Sequence, residues 1–371
     1  MKKILYFFKN DIVLTAALVL AVLSCFIIPP NAGYVDYIDF NTLIMLFCLM
    51  LIVEGMRGED FFRYIGNGIL KRVATGRGVA FTLVFLCFLG SMLITNDVSL
   101  ITFIPFGMMI LEMTGMSSKV CYTVVLMTIA ANLGSMFTPI GNPQNLYLYS
   151  LSGMSMGDFL WLMLPYTALA AAVLAICIFA GYKREKLKVE EQTVKIRNQK
   201  RLWFYLALFI LCLLTVSGIL PHVVLLSVVV ISLLAVKRDL FVRIDYSLLL
   251  TFIFFFVFTG NMNHMEELRN AIIRLLSGHE IPVSVLCSQV ISNVPAAMLL
   301  SGYTDNIPGL IVGTNIGGLG TLIASMASLI SYKQIAMSFS KLKRKYIGIF
   351  TLFNVVFLIL LGIMALGIHM L

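Results

Sequence analysis

Apolar runs alternate with short polar stretches along nearly the whole chain, and two polar tracts lie inside the runs themselves. Crossing a bilayer as a helix takes roughly 17–25 apolar residues. By that measure Ile12–Ile28, Phe159–Tyr182, Leu202–Leu220 and Tyr346–Met370 read as full spans, with Phe40–Val53, Val223–Val236 and Tyr246–Gly260 somewhat shorter. Phe61–Leu70, flanked by Arg57, Lys71 and Arg72, predicts an amphipathic helix at the membrane surface, and Glu266–Ser277 is its counterpart. Val79–Ile94 and Val98–Leu111 are short arms joined at Thr95-Asn96-Asp97, which predicts a hairpin that enters the membrane and returns. Pro282–Leu300 predicts a second hairpin around Ser292-Asn293-Val294. Val120–Ala131 approaches a break at Asn132–Asn145 before Leu146–Leu151 resumes, and Ile307–Ile330 contains a second break at Asn315–Thr321.

The tips and breaks look like copies. Asn132-Leu-Gly134 matches Asn315-Ile-Gly317, and Thr138-x-Ile140 matches Thr321-x-Ile323, all at an offset of 183 residues. Hydrocarbon tolerates such polar backbone only where protein or a water-filled cavity surrounds it. Paired interruptions in two halves of a membrane chain point to a transporter's binding site. A helix that stops inside the membrane leaves N–H groups that attract anions at one end and carbonyls that can hold a sodium ion at the other. Asparagine supplies donor and acceptor together, and serine and threonine hydroxyls serve either partner. Thr95 and Asn96 with Asn132–Asn142 suit one site, and Ser292 and Asn293 with Asn315–Thr321 suit a symmetry-related second. Asp97 is the only carboxylate at either tip. It suits a cation or proton site, and equally a cap for the arm beginning at Val98. Gly313 and Gly317, four apart, also suit a close helix-packing face.

Composition and charge agree with a membrane chain. Of 371 residues, 60% are hydrophobic and 12% charged, too apolar for a soluble domain. The net charge of +9 lies in short stretches between spans, as the positive-inside rule requires, and not in a nucleic-acid-reading motif. Placing the N-terminus, 57–77, Lys119, 183–201, 237–243 and 333–345 in the cytoplasm puts 25 of 27 lysines and arginines inside, leaving Arg269 and Arg274. The C-terminus then lies outside, and Phe40–Val53 and Tyr246–Gly260 run in opposite directions. The fold class expected is therefore an all-α polytopic membrane protein of two inverted-topology repeats, each with a re-entrant hairpin and a broken helix. Its parts are an N-terminal helix and outer loop (1–39), a first repeat (40–182), a basic linker (183–201) and a second repeat region (202–371). The first helix is expected to stay uncleaved. The seven cysteines stand singly in apolar runs and read as small hydrophobes. Gly153-Met154-Ser155-Met156-Gly157 fits the hydrolase G-x-S-x-G pattern but joins two spans, so no enzyme is expected.

Thr95-Asn96-Asp97-Val98-Ser99-Leu100, the run Asn132 to Asn145, and Ser292-Asn293-Val294-Pro295 resemble the ion transporter superfamily. That group holds citrate-transporter-like permeases, divalent anion:sodium symporters, arsenite permeases and a class of sodium/proton antiporters. The resemblance runs from about Phe40 to the C-terminus. It implies inverted repeats, a homodimeric scaffold and, in the symporters, a transport domain that moves as an elevator. By position it matches Thr95-Asn96 and Ser292-Asn293 to the two tip signatures, whose asparagines would contact substrate while the nearby backbone helps hold sodium. Together with the residue reading of the tips and breaks, the substrate residues expected are Thr95, Asn96, Asn142, Ser292, Asn293 and Thr321. Those expected for the coupling cation or proton are Asp97, Asn132, Gly134, Thr138, Gly141, Asn315 and Gly317. Asp97 and Val294 depart from the dicarboxylate symporters' tip signatures and lean toward the arsenite, citrate-like and antiporter branches. The expectation is a secondary transporter for a small anion, a carboxylate by first choice, in a bacterial inner membrane, with no cofactor beyond Na+ or H+. The alternatives are a Na+/H+ antiporter using Asp97 and an arsenite efflux permease.

Overall fold

The computed structural model describes residues 12–70, 73, 75–185 and 194–369. The N-terminal lysines, Lys71, Arg72, Lys186 and Lys188, all used in the charge assignment, lie outside them, as do the last two residues. The first half comprises α1 (Ile12–Ile27), α2 (Phe40–Gly58), α3 (Phe61–Leu70), α4 (Gly76–Ile94), α5 (Asn96–Met113), α6 (Val120–Ser135), α7 (Pro143–Ser152) and α8 (Met156–Gly181). The second comprises α9 (Gln199–Val216), α10 (His222–Val236), the short α11 (Leu240–Arg243), α12 (Tyr246–Asn263), α13 (Glu266–Leu276), α14 (Glu280–Ile291), α15 (Asn293–Leu300), α16 (Ile307–Gly317), α17 (Met326–Ser338) and α18 (Lys343–His369). Seven helices among the described residues are long and apolar enough to cross a membrane.

Side chains start these helices, at the boundary hydropathy gives for α2 and α16 and three residues ahead of it for α4. Asp39 accepts from Thr42 N–H at 3.1 Å to begin α2, and Thr75 accepts from Gly78 N–H at 3.2 Å to begin α4. Asn306, with Pro308 in the first turn, begins α16 as its sequence suggests. Several helices run past their apolar stretches. α2 continues five residues beyond Val53 because Glu54 and Arg57 pair at 3.1 Å within its last turn. The first hairpin's arms, read as short, are 19 and 18 residues and each long enough to cross, whereas α14 and α15 have 12 and 8.

Element order repeats from α2–α8 to α12–α18: long helix, short helix, two hairpin arms, a helix, a break, a helix and a closing long helix. α4 packs along α6 as α14 packs along α16. At both contacts a glycine faces a serine four residues before the tip. A Cβ on Gly134 would stand 2.0 Å from Phe88 O and 2.6 Å from Ser91 Oγ, and one on Gly317 would stand 2.6 Å from Ser288 Oγ. Gly313 packs on the same helix, against Ser284 and Ile281, so both glycines of the packing face lie against α14. The helices that precede each repeat cover the other repeat: α1 lies along α12, and α9 and α10 lie on α2.

Stretches assigned by charge to one side of the membrane meet in space. Buried Glu59 faces Arg201 and Lys237, each at 3.8 Å, and Asp60 pairs with Arg197 at 2.7 Å. Arg77 Nε donates to Tyr182 O at 3.0 Å and Lys119 Nζ to Gly181 O at 3.0 Å.

Candidate functional site

Two strained corners organise the centre of the molecule. Thr95 (φ 64°, ψ 150°) and Ser292 (φ 74°, ψ 155°) share a backbone conformation that side chains rarely adopt. Such a conformation costs about 1–3 kcal/mol and persists where surrounding structure enforces it. Each corner ends one arm and begins the next on an asparagine.

The two tips are joined through the second break. Asn96 Nδ2 donates to Asn132 Oδ1 at 3.1 Å, and Ser325 Oγ donates to the same oxygen at 3.0 Å. The neighbouring Ala324 carbonyl accepts from Asn293 N–H at 3.0 Å and from Ser292 Oγ at 3.4 Å. A second knot crosses the repeats at the first break. Asn142 Nδ2 donates to Asn315 Oδ1 and to Ser135 Oγ, both at 3.1 Å, while Asn315 Nδ2 donates to Asn145 Oδ1 at 2.5 Å. These bonds obey one rule. The residue preceding the helix after each break, Asn142 or Ser325, donates to the helix-end asparagine of the other repeat, Asn315 or Asn132.

The site residues expected from sequence therefore divide. Asn96, Asn132, Ser292 and Asn293 fall on the chain linking the tips. Thr95 supplies the first corner. Asn142 and Asn315 form the second knot, and Asn142 Oδ1 also caps α7 through Asn145 N–H at 3.0 Å. Thr138 Oγ1 donates to Met92 O at 2.5 Å and Thr321 Oγ1 to Gln289 O at 3.1 Å, so both threonines tie a break to its hairpin three residues before the tip. Gly141 closes a tight turn beneath Ser135. The breaks are also displaced from the expected spans. α6 runs through Asn132 and Gly134 to Ser135, leaving 136–142 open, and α16 runs through Asn315 to Gly317, leaving 318–325.

Asp97 is not the cap of an arm beginning at Val98. α5 starts one residue before it, and its own N–H donates to Asn96 Oδ1 at 3.0 Å, which places the carboxylate in the first helical turn. Asp97 Oδ1, Asn132 Nδ2 and Gln144 Nε2 are buried without a hydrogen-bond partner. An unused acceptor and an unused donor thus lie beside the first tip, where an unpaired buried polar atom costs about 1–3 kcal/mol. The bonded partners here are amides, hydroxyls and backbone, with no lysine or arginine. Ser155, the serine of the hydrolase-like pattern, caps α8 in a reciprocal pair with Asp158.

Sequence reasoning left out Ser325, Asn145 and Gln289. The 183-residue offset maps Asn142 onto Ser325 and so contained that signal. Gln289 lies outside the tip and break tracts, in an arm that also carries Ser284 and Ser288, with nothing local to distinguish it.

Asn315→Leu keeps the side chain's four heavy atoms and its branching but strips the second knot, leaving Asn145 Oδ1 bare. It is expected to cost about 1–3 kcal/mol, read as a lower melting temperature of the purified protein in detergent. An unchanged melting temperature would remove the knot's structural role.

Residues 4–308 match the family model described as Citrate transporter. The chain belongs to the citrate transporter family. It is 37% identical over 297 residues to Uncharacterized transporter MJ0456 of Methanocaldococcus jannaschii, covering 80% of this chain and 81% of that protein. It is 30% identical over 302 residues to Inner membrane protein YbiR of Escherichia coli, covering 80% of each. Silicon efflux transporter LSI3 of Oryza sativa subsp. japonica is 29% identical over 148 residues, covering 40% of this chain and 30% of that protein. The chain is a multi-pass membrane transporter and not an enzyme. The family match starts well before Phe40, taking in α1, and stops ahead of the second break.

Proposed function

We propose that this transporter carries a small anion, a carboxylate by first choice, bound between the two hairpin tips and driven by a gradient of sodium or protons. The observation that supports this most is the hydrogen-bonded chain from Asn96 through Asn132 and Ser325 to the Ala324–Asn293 contact. It sets both tips around one polar centre, where Asn132 Nδ2 is free to donate to an anion oxygen. Helix N-termini at Asn96 and Asn293 add dipoles of the same sign. A coupling cation offsets charge that no arginine or lysine meets, with Asp97 and the carbonyls of the two breaks as its candidate places. The family's description as citrate transporters points to the same substrate class. In this reading the repeats are inverted and the hairpins re-entrant. The tips and broken helices move as an elevator against a dimeric scaffold, in an inner membrane with the N-terminus inside and the C-terminus outside.

A second reading, exchange of sodium for a proton on Asp97, draws on the bare Asp97 Oδ1. Efflux of arsenite or another uncharged oxyacid draws on the absence of fixed positive charge and on the name of the rice relative. Reconstituted protein separates these. Labelled citrate, succinate or malate is expected to accumulate in proteoliposomes only under an inward sodium or proton gradient. Proton movement on adding sodium without any organic anion would instead favour the antiporter, and no accumulation of any anion would overturn the main proposal.

A further inference from the structure

In each break, backbone carbonyls converge on one point, and a side-chain amide nitrogen occupies that point. In the first, Asn145 Nδ2 lies 3.4 Å from Ser135 O, 3.3 Å from Met136 O and 3.3 Å from Thr138 O. In the second, Gln289 Nε2 lies 2.9 Å from Gly317 O and 2.9 Å from Leu319 O, and 3.2 Å from Val285 O one turn back on its own helix α14. The amides cannot be turned round, because a donor fixes each oxygen end. Asn315 Nδ2 reaches Asn145 Oδ1 at 2.5 Å, and Thr321 N–H reaches Gln289 Oε1 at 2.9 Å. Reversal would set oxygen against carbonyl oxygens and nitrogen against donors.

The two repeats reach this arrangement with residues from different places. The 183-residue offset puts Ser328 where the first repeat has Asn145, and the tip offset of 197 puts Met92 where the second has Gln289. Ser328 Oγ is buried without a partner. The second repeat thus lacks the Asn145 amide and supplies one from its hairpin arm instead. A convergence of carbonyls at a broken helix is what an alkali cation binds, exchanging its water for carbonyl oxygens. An amide nitrogen brings partial positive charge and two N–H donors to the same oxygens, and satisfies them without an ion.

We propose that Asn145 and Gln289 are ion-specificity residues of this transporter, whose amides fill both carbonyl clusters and exclude sodium from them. This rests on the transport reading above and narrows it by removing the carbonyls of the breaks as places for sodium. Substrate binding at the tips does not depend on it.

The test is the melting temperature of detergent-purified protein in sodium chloride against choline chloride at equal ionic strength, with no organic anion present. Asp97→Asn, which removes the one remaining candidate place for sodium, is expected to melt at the same temperature in both salts, and wild type to respond to sodium no more than Asp97 allows. Gln289→Glu puts an acceptor where the donor stood, and Gln289→Ala leaves a space lined by carbonyls. Both are expected to melt lower in choline and to regain about 2 °C or more specifically in sodium. If either variant does not fold, the other decides. A sodium-specific rise in wild type that persists in Asp97→Asn, or no sodium response beyond that of wild type in the Gln289 variants that fold, would overturn the proposal. Neither result bears on whether wild type accumulates a labelled anion, so the two readings fail separately.

Discussion

Proteoliposomes containing Asn96→Ala or Asn293→Ala are expected to lose anion uptake while holding as much folded protein as wild type. The first change removes an amide whose nitrogen donates to Asn132 and whose oxygen accepts from Asp97 N–H. The second removes an amide at a tip held by its backbone, since Asn293 N–H, not the side chain, bonds Ala324 O. Asn132 Oδ1 keeps Ser325 in either variant, so the link between the end of α6 and the second break survives. Losing one buried hydrogen bond to a bound anion costs about 1–3 kcal/mol, or roughly 5- to 150-fold in affinity. Strain at Thr95 and Ser292 fits the same account, because it persists at two equivalent corners whose immediate effect is to aim an asparagine and a helix start at one centre. Uptake at wild-type rates in both variants would remove the tips from the transport path.

Gly134→Ala is expected to yield no stably folded protein. The added methyl would lie 2.0 Å from Phe88 O, a backbone atom inside a long helix that cannot step aside. Relieving the clash means separating α4 from α6 and with them the Asn96–Asn132 bond, and overpacking on that scale exceeds the usual cost of about 1–3 kcal/mol. Gly348→Ala on α18 is the control, since nothing lies within 4 Å of its Cβ position. It is expected to behave as wild type. Size-exclusion profiles of the two variants decide the matter, and a monodisperse Gly134→Ala would mean the helices pack less closely than described.

Much of this architecture was legible from residue patterns. The tips at Thr95-Asn96 and Ser292-Asn293, the paired breaks and the two amphipathic helices all appear where polar residues interrupt apolar runs. Helix ends were less legible, because hydropathy stops at the first charge while the helix continues. Glu54 and Arg57 prolong α2 by pairing with each other, and Thr75 starts α4 ahead of its apolar run at Val79. The site was half legible. Residue type marked Asn96, Asn132, Asn142, Asn293 and Asn315, but a sequence does not say which asparagine meets which. The pairing across repeats, Ser325 to Asn132 and Asn142 to Asn315, exists only once α6 and α16 are packed. Gln289 shows the limit most plainly, since its role comes from carbonyls 28 and 30 residues away.

The most direct measurement is the thermal stability of the purified wild type, Asn96→Ala and Asn293→Ala proteins against citrate, succinate, malate and sulfate. A ligand that binds only the folded state adds about 2.7 kcal/mol at a hundred times its dissociation constant. The account predicts that at least one anion raises the melting temperature of wild type and that neither variant responds to it. An equal rise in all three proteins, or none in wild type with any anion, would contradict a small-anion site built between the two tips.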